Sequence, residues 1–557
     1  MMGSELETLP TLGVGASLSF GMEPDPVALV DLPGGPSFIE YAGAVQSELY
    51  SAAIAQLHAK DTPVLYHPSC MNLCGPWPNH PQWLQAIAQH VEAVQSPWLA
   101  QDVAVCYAGD RPGYSIQLGY FVSPILTQAS LDEAVQRVLE VRRVVKRPLL
   151  LEPPPATFRL GEMSVFDWLG QLAERTDCGL LLDAGHVLSH QLVEDGHGLD
   201  RPPLERVIEL HVAGGILTQR GERWYYIDAH DVPVQPETWQ VFDHLLERCP
   251  QLKAVCLECE GSAAAMVLPA LEKVRQRVSL KAASDELRSF VRSQSLARST
   301  TLPDLEPASS SVPNVPAPPV QDTGYEGLLR LLFDAELRDR LMSEDDGLAQ
   351  ELRISPADLG AIDLGGLEID VAGRRTYLMS ALCRSHPIGA GILGAMEGGA
   401  DRLAAFLTSP TIRGLLSERS QAFCAHLRRV LELASLSSEE EAFAGAFIEF
   451  ESALVSTATQ LRQAVHGGAP PPQVQKTPSR AQRRSGSMVL PPFTLLVELP
   501  TSPQAMRAAL GHISPQAAWA QIDSGALDFD RARSVMRAEP TPVTVISRGV
   551  VTGMAGE

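Results

Sequence analysis

No apolar run in this chain approaches the ~20 residues a helix needs to cross a bilayer, so a membrane-spanning protein is not expected. Positive charge is also scarce. Against 66 acidic residues stand 44 Lys and Arg, giving a net charge of −22 over 557 residues. That balance argues against a broad electrostatic grip on nucleic acid. Cysteine offers no disulfide framework: nine occur, an odd number in a long chain. Met1 to Leu12 has neither the basic n-region nor the apolar h-region of a secretory signal. A cytoplasmic protein with reduced thiols is expected. Cys256 and Cys259 have the spacing of half a zinc site, yet no second CxxC follows. Both sit in the apolar run KAVCLECE and read as buried strand residues. A Gly-rich phosphate loop and a protein nucleophile motif are both missing.

What is present is enough apolar material, 45% of residues, to bury a core. Two stretches cannot join it. Residues 295–323 are rich in Pro and Ser, and residues 467–487 combine Pro, Gly and basic side chains. They suggest a first domain over 1–280, a linker over 281–323, a helical domain over 324–465, a linker over 466–487 and a small α+β tail over 488–557.

The first domain alternates short apolar runs with amphipathic stretches. Strands are expected at 12–18, 37–41, 63–67, 102–107, 148–152, 179–183, 207–212 and 254–258. Helices separate several of them. Ser130-x-x-Glu133 reads as a capping box before LDEAVQRVLEVRRVV, and Ser164-x-x-Asp167 opens FDWLGQLAERT. Eight strands alternating with helices over ~260 residues is the pattern of a (β/α)8 barrel, a TIM barrel. A doubly wound open sheet is the alternative; it usually has fewer strands. Helical spacing recurs at 328–342, 401–409, 420–434 and 439–465. The tail offers two strand candidates, PFTLLVEL and TPVTVISRGVV, around a short helix.

The expected strand ends carry metal-ligand types. Glu40 lies on the second strand, His67 ends the third, Asp102 begins the fourth and Glu152 ends the fifth. Asp183 ends the sixth with His186 three residues on, His211 is near the end of the seventh, and Glu258 ends the eighth. Asp228 and His230 follow the seventh strand, and His197 follows the sixth on a glycine-flanked loop. Any one of these has a plain structural reading: Asp183 could cap a helix, His67 could be a core polar residue, Asp228 and His230 could be loop residues. In a barrel, however, all strand ends converge on one face. Imidazole nitrogens and carboxylate oxygens gathered there suit Fe, Mn or Zn, and a bridging carboxylate such as Glu152 can hold two ions close together. His58, His80, His90, His190, His244, His386, His426, His466 and His512 lack such placement and read as solvated or packing residues.

In order and spacing, LLLEPPP, GLLLDAGHVL, HGLD, ELHVAGG, YIDAHDVPVQPETW and CLECE resemble the multinuclear non-heme iron-dependent oxidative enzymes typified by the methanobactin biosynthesis oxidase. The resemblance covers residues 12–275. It implies a barrel of the xylose isomerase-like type with two or three irons, two being favoured here. It implies O2 as oxidant and a ribosomally made precursor peptide as substrate, modified as a rule at cysteine. It implies Glu152, Asp183, His211, Asp228, His230 and Glu258 as iron ligands, with His67 and Asp102 as additions. From their placement, His186 is expected as a further metal ligand, and Asp102, His186 and His197 are expected in catalytic roles. At several positions the sequence departs from the family pattern. The first strand has no His, Val103 follows Asp102, Pro153 follows Glu152, His186 replaces an Asn, and Gly215 replaces a second His.

The same ligand order also resembles endonuclease IV, a trinuclear zinc barrel. That leaves a zinc- or manganese-dependent hydrolase or isomerase as an alternative, and a peptide-binding scaffold with a degenerate site as a third. Oxidases of the resembling group commonly work with a small helical partner that holds the peptide. Segment 324–465 looks like such a partner fused in place.

Overall fold

The structure, a computed structural model, describes residues 4–20, 24–42, 48–109, 115–194, 203–292, 324–345, 347–408, 416–466, 494–514, 517–538 and 543–548. Eight parallel strands organise the first unit: β1 (Gly13–Ser17), β2 (Ile39–Tyr41), β3 (Val64–Tyr66), β4 (Leu99–Asp102), β5 (Leu149–Glu152), β6 (Gly179–Asp183), β7 (Val207–Ala213) and β8 (Ala254–Glu258). They pair in sequence order, and β8 returns to β1 to close the expected TIM barrel. The strands are apolar on both faces because helices cover the outside and side chains fill the inside. GLLLD in β6 and AVCLE in β8 are buried throughout.

One strand is displaced from its expected place. Asp102 ends β4 and does not begin it, and Val105–Ala108 forms a separate strand outside the barrel. WLAQDVAVCY reads as a single apolar run, so periodicity could not locate the break. Pairing with β5 does, setting Asp102 opposite Glu152.

The period of two along a strand sorts the barrel interior into layers. Phe38, Leu65, Ala100, Leu150, Leu181 and Cys256 belong to one buried cluster, joined by Leu6 and Leu9 from the N-terminal segment. Two residues further along the same strands stand Glu40, His67, Asp102, Glu152, Asp183 and Glu258, all buried. On β7 the lower layer holds Glu209, whose carboxylate accepts from Trp98 Nε1 at 2.7 Å, and the upper layer holds His211.

The helix starts differ in detail from expectation. Thr127, not Ser130, caps Gln128–Val144, accepting from Ser130 N at 3.3 Å. Ser130 is buried and its hydroxyl donates to Ile125 O instead. Ser164 does stand at the N-cap of Val165–Thr176, but its hydroxyl donates to Glu194, which also accepts from Val165 N at 2.8 Å. After β8 the helix Ala264–Arg292 continues past residue 280, into the stretch expected to be linker.

The residues expected as one helical domain fall into two groups. Those up to Val371 cluster with the barrel; Ala372–Thr552 belongs to a second unit. Tyr325 shows why: it is fully buried, and Ile125 N donates to its hydroxyl at 3.2 Å. The helix expected over 328–342 breaks at Asp334, which caps Ala335–Met342 by accepting from Glu336 N at 3.0 Å. In the second unit, Ser437 and Glu440 form a reciprocal capping box before the helix Ser438–His466. The tail strands Thr494–Leu499 and Val543–Arg548 pair antiparallel. Arg533 and Arg537 each place Nε 2.8 Å from Glu440, so tail and helices pack together. Among the described residues no helix is long and apolar enough to cross a membrane.

Candidate metal centre

Strand register brings the ligand types together before any side chain is considered. Asp102 pairs with Glu152, Asp183 with His211, and Ser17 with both Glu40 and Glu258. Side chains complete the arrangement. His67 Nε2 lies 3.1 Å from Glu152 and 3.4 Å from Asp102, and its Nδ1 lies 3.7 Å from Glu40. His211 sits between Glu40, 3.3 Å from Nε2, and Glu258, 3.2 Å from Nδ1. His186 Nδ1 is 3.1 Å from the second oxygen of Glu152, and its Nε2 is 3.7 Å from Asp228. Glu40, His67, His211 and Glu258 form one group able to hold a metal ion, and His67, Asp102 and Glu152 form another.

Asp228 and His230 arrive from outside the barrel strands. After β7 the chain makes a hairpin, Gly215–Arg220 paired with Arg223–Asp228. Its root needs small residues: a Cβ on Gly214 would lie 1.9 Å from Val232 O, and one on Gly215 would strike the Tyr226 ring. Tyr226 donates to Gly214 O at 2.9 Å. Asp228 ends the hairpin, with an oxygen 3.0 Å from His230 Nε2. His230 Nδ1 is 2.8 Å from Glu260, and Ser17 donates to the other oxygen of Glu260. Glu260 thus fixes which ring nitrogen of His230 faces Asp228 and Glu258. Ser69 does similar work on Asp102, donating at 2.6 Å, and Pro153 O lies 3.0 Å from His186 Nδ1.

Asp183 serves two readings at once. One oxygen accepts from Gly185 N and His186 N at 2.7 and 2.8 Å, capping the helix Ala184–Val193. The other is buried and has no hydrogen-bond partner among the described residues. Similar orphans surround it: both oxygens of Glu40, both nitrogens of His211, and one atom each of His67, Glu152, His186, Asp228 and Glu258. Buried polar atoms left unpaired are costly. Here they are the lone-pair donors a metal ion would take up, so the residues present fit such a group.

Electrostatics agree. Burial alone would push the imidazoles down. The carboxylates around them outweigh burial and hold His67, His186, His211 and His230 well above the ordinary range. Burial pushes Glu258 up to about 7 despite His230 and His211 beside it. On Glu152 and Asp228 the neighbouring imidazoles overcome burial and hold the carboxyls low.

All of the sequence-derived candidates save one lie in this cluster. His197 falls outside the described residues. Sequence reasoning placed Glu40 on its strand but did not carry it to the ligand set, because Tyr41 follows it as the last strand residue. Glu260 and Glu209 were not singled out; the signal was a second inward-facing acid two residues from a candidate. Two of the histidines read as solvated or packing residues do pack: His90 Nε2 lies 2.6 Å from Tyr41 Oη, and His190 Nε2 is 2.8 Å from Pro154 O. Cys256 and Cys259 are buried and free, as read from KAVCLECE.

A closed parallel barrel with this cluster at its strand ends defines a TIM-barrel protein with a buried His and carboxylate site able to bind metal. The family described as RiPP precursor modification enzyme MbnB/TglH/ChrH matches residues 39–279. A UPF0276 protein of Rhizobium meliloti (strain 1021) is 32% identical over 248 residues, 42% of this chain and 77% of that protein. A UPF0276 protein of Vibrio parahaemolyticus is 30% identical over 178 residues, 28% of this chain and 60% of that one. The chain belongs to this family of precursor-peptide modification enzymes. Among solved structures, a xylose isomerase domain protein from Planctomyces limnophilus matches at 14% identity and a TM-score of 0.30, covering 51% of this chain and 98% of that one. The 3-keto-D-glucoside 4-epimerase YcjR from E. coli matches at 13% identity and a TM-score of 0.30, over 48% and 98%.

Proposed function

We propose that the barrel is a multinuclear non-heme iron oxidoreductase of the cytoplasm that uses O2 to oxidise a residue, as a rule cysteine, of a ribosomally made precursor peptide. The observation that supports this reading is a set of three imidazoles, His67, His186 and His211, and five carboxylates, Glu40, Glu152, Asp183, Asp228 and Glu258, each with a buried atom that lacks a partner among the described residues. In this reading His67, Glu152, Asp183, His186, His211, Asp228, His230 and Glu258 are ligands, and Glu40 joins them. Iron bound there would supply the redox chemistry by which O2 oxidises the peptide.

The chain's own contribution is geometry and exclusion of water. Glu152 reaches His67 with one oxygen and His186 with the other, so it is placed to bridge two ions. Asp102, oriented by Ser69, stands beside His67 to assist proton movement at the substrate, together with His186; His197, expected in the same role, lies outside the described residues. Segment 324–465 takes the role of a fused partner that holds the peptide.

Two measurements test the reading: metal content of anaerobically purified protein, and O2 consumption with a Cys-bearing precursor peptide. Less than about one iron per chain, or zinc alone, would sink the redox chemistry. Zinc or manganese with phosphodiester cleavage would point to the hydrolase reading. Peptide affinity without tight metal binding would point to a scaffold.

A further inference from the structure

Among the described residues the hairpin that ends in Asp228 has no third strand, and its two strands pair with each other. A lone two-stranded hairpin is marginal in water, so its position has to come from what grips it. On one face Tyr226 is buried at the barrel, where a Cβ on Gly185 would strike its hydroxyl. On the opposite face stands Tyr225, also buried, by the alternation of a strand. Tyr225 donates its hydroxyl to Asp363 Oδ2 at 2.8 Å, and Arg223 Nη1 donates to the same oxygen at 3.0 Å.

Asp363 is itself held. Its other oxygen accepts from Gly365 N at 3.1 Å, at the start of the helix Leu364–Ser385. Thr157, five residues after Glu152, donates to Gly366 O at 2.7 Å. A Cβ on Gly366 would sit 1.8 Å from Thr157 O, and one on Gly365 would sit 2.8 Å from the Tyr225 hydroxyl. The turn 363–366 therefore touches both the loop that follows Glu152 and the hairpin that delivers Asp228.

We propose that Asp363 is a positioning residue for the metal centre: through Tyr225 and Arg223 it clamps the hairpin and so fixes where Asp228 and His230 stand. This rests on reading those two residues as ligands. The clamp acts on one side of the centre. Glu40, His67, His211 and Glu258 are carried by β2, by the residue after β3, by β7 and by β8, and stay in place without it.

The test is anaerobic titration of the full chain with Co2+, read by stoichiometry and by the visible absorption of the bound ion. Asp363→Ala and Tyr225→Phe are compared with the natural sequence and with His230→Ala. Both clamp variants are expected to bind the last Co2+ equivalent about ten-fold or more weakly, with an altered spectrum. Asp363→Glu is expected to recover part of the difference. Combining Asp363→Ala with His230→Ala should add nothing further, which a general loss of stability would not reproduce. If Asp363→Ala folds poorly, Tyr225→Phe carries the comparison alone. Clamp variants with unchanged stoichiometry, affinity and spectrum, while His230→Ala shows the loss, overturn the clamp and leave the ligand reading standing. A His230→Ala protein that binds Co2+ as the natural one does removes the ligand reading and the clamp with it.

Discussion

Glu152 has one oxygen 3.1 Å from His67 and the other 3.1 Å from His186. Glu152→Gln keeps its shape and removes its charge, so the variant should bind at least one ion fewer per chain by elemental analysis. The position was legible: an acid closing PLLLE, with no apolar reason to be there. Glu209 was not, because only the fold shows that its carboxylate meets Trp98, 111 residues away in sequence. His386, in the second unit, shows the opposite use of an imidazole. It is fully buried edge-on to Phe423, and burial pushes it down to about 4. A base with a lowered folded pKa contributes stability above its unfolded value of about 6.5 and loses it as pH falls towards 4. Denaturation of the natural protein against His386→Phe should show a relative loss of about 2 kcal/mol between pH 7 and pH 5. No change over that window would mean the ring is not held neutral.

Among elements, the turn from β6 into the helix Ala184–Val193 joins a helix cap and the proposed ligation in one side chain. Asp183→Asn keeps an oxygen for Gly185 N and His186 N, so the metal-free protein should be nearly as stable as before. Asp183→Ala loses the cap and should cost about 1 kcal/mol in chelator. Both should bind metal more weakly, and equal metal affinity in the Asn variant would remove Asp183 from the ligand set. The strands were largely readable because parallel barrel strands are short continuous apolar runs. Their breaks were less so: whether Asp102 ends one strand or starts the next depends on pairing with β5. The helix Leu364–Ser385 was not foreseen, since Gly365-Gly366 looks like a helix breaker. Those glycines are there for the approach to Thr157 and Tyr225. The hairpin left a fainter sign, apolar and polar residues alternating around a turn at Gly221 with φ 60°.

For the whole molecule, the groups able to hold an ion are assembled only in the folded barrel, so metal binding would be tied to folding. An ion at 100 times its dissociation constant would stabilise the native state by about 2.7 kcal/mol. Chelation should lower the melting transition of the first unit and leave that of the second unit unmoved, as calorimetry can check. Because the four imidazoles carry raised pKa values, they must release protons to bind metal. Affinity should therefore weaken as pH falls, and an unbuffered metal titration should turn acidic. The layering of the barrel interior carries one more consequence. On β2, β4, β5, β6 and β8 the site residues Glu40, Asp102, Glu152, Asp183 and Glu258 each stand two residues beyond a core side chain. A single residue gained or lost inside such a strand would turn its ligand to the outer face. The centre therefore tolerates exchanged side chains at strand ends or longer loops beyond them far better than a change in strand length.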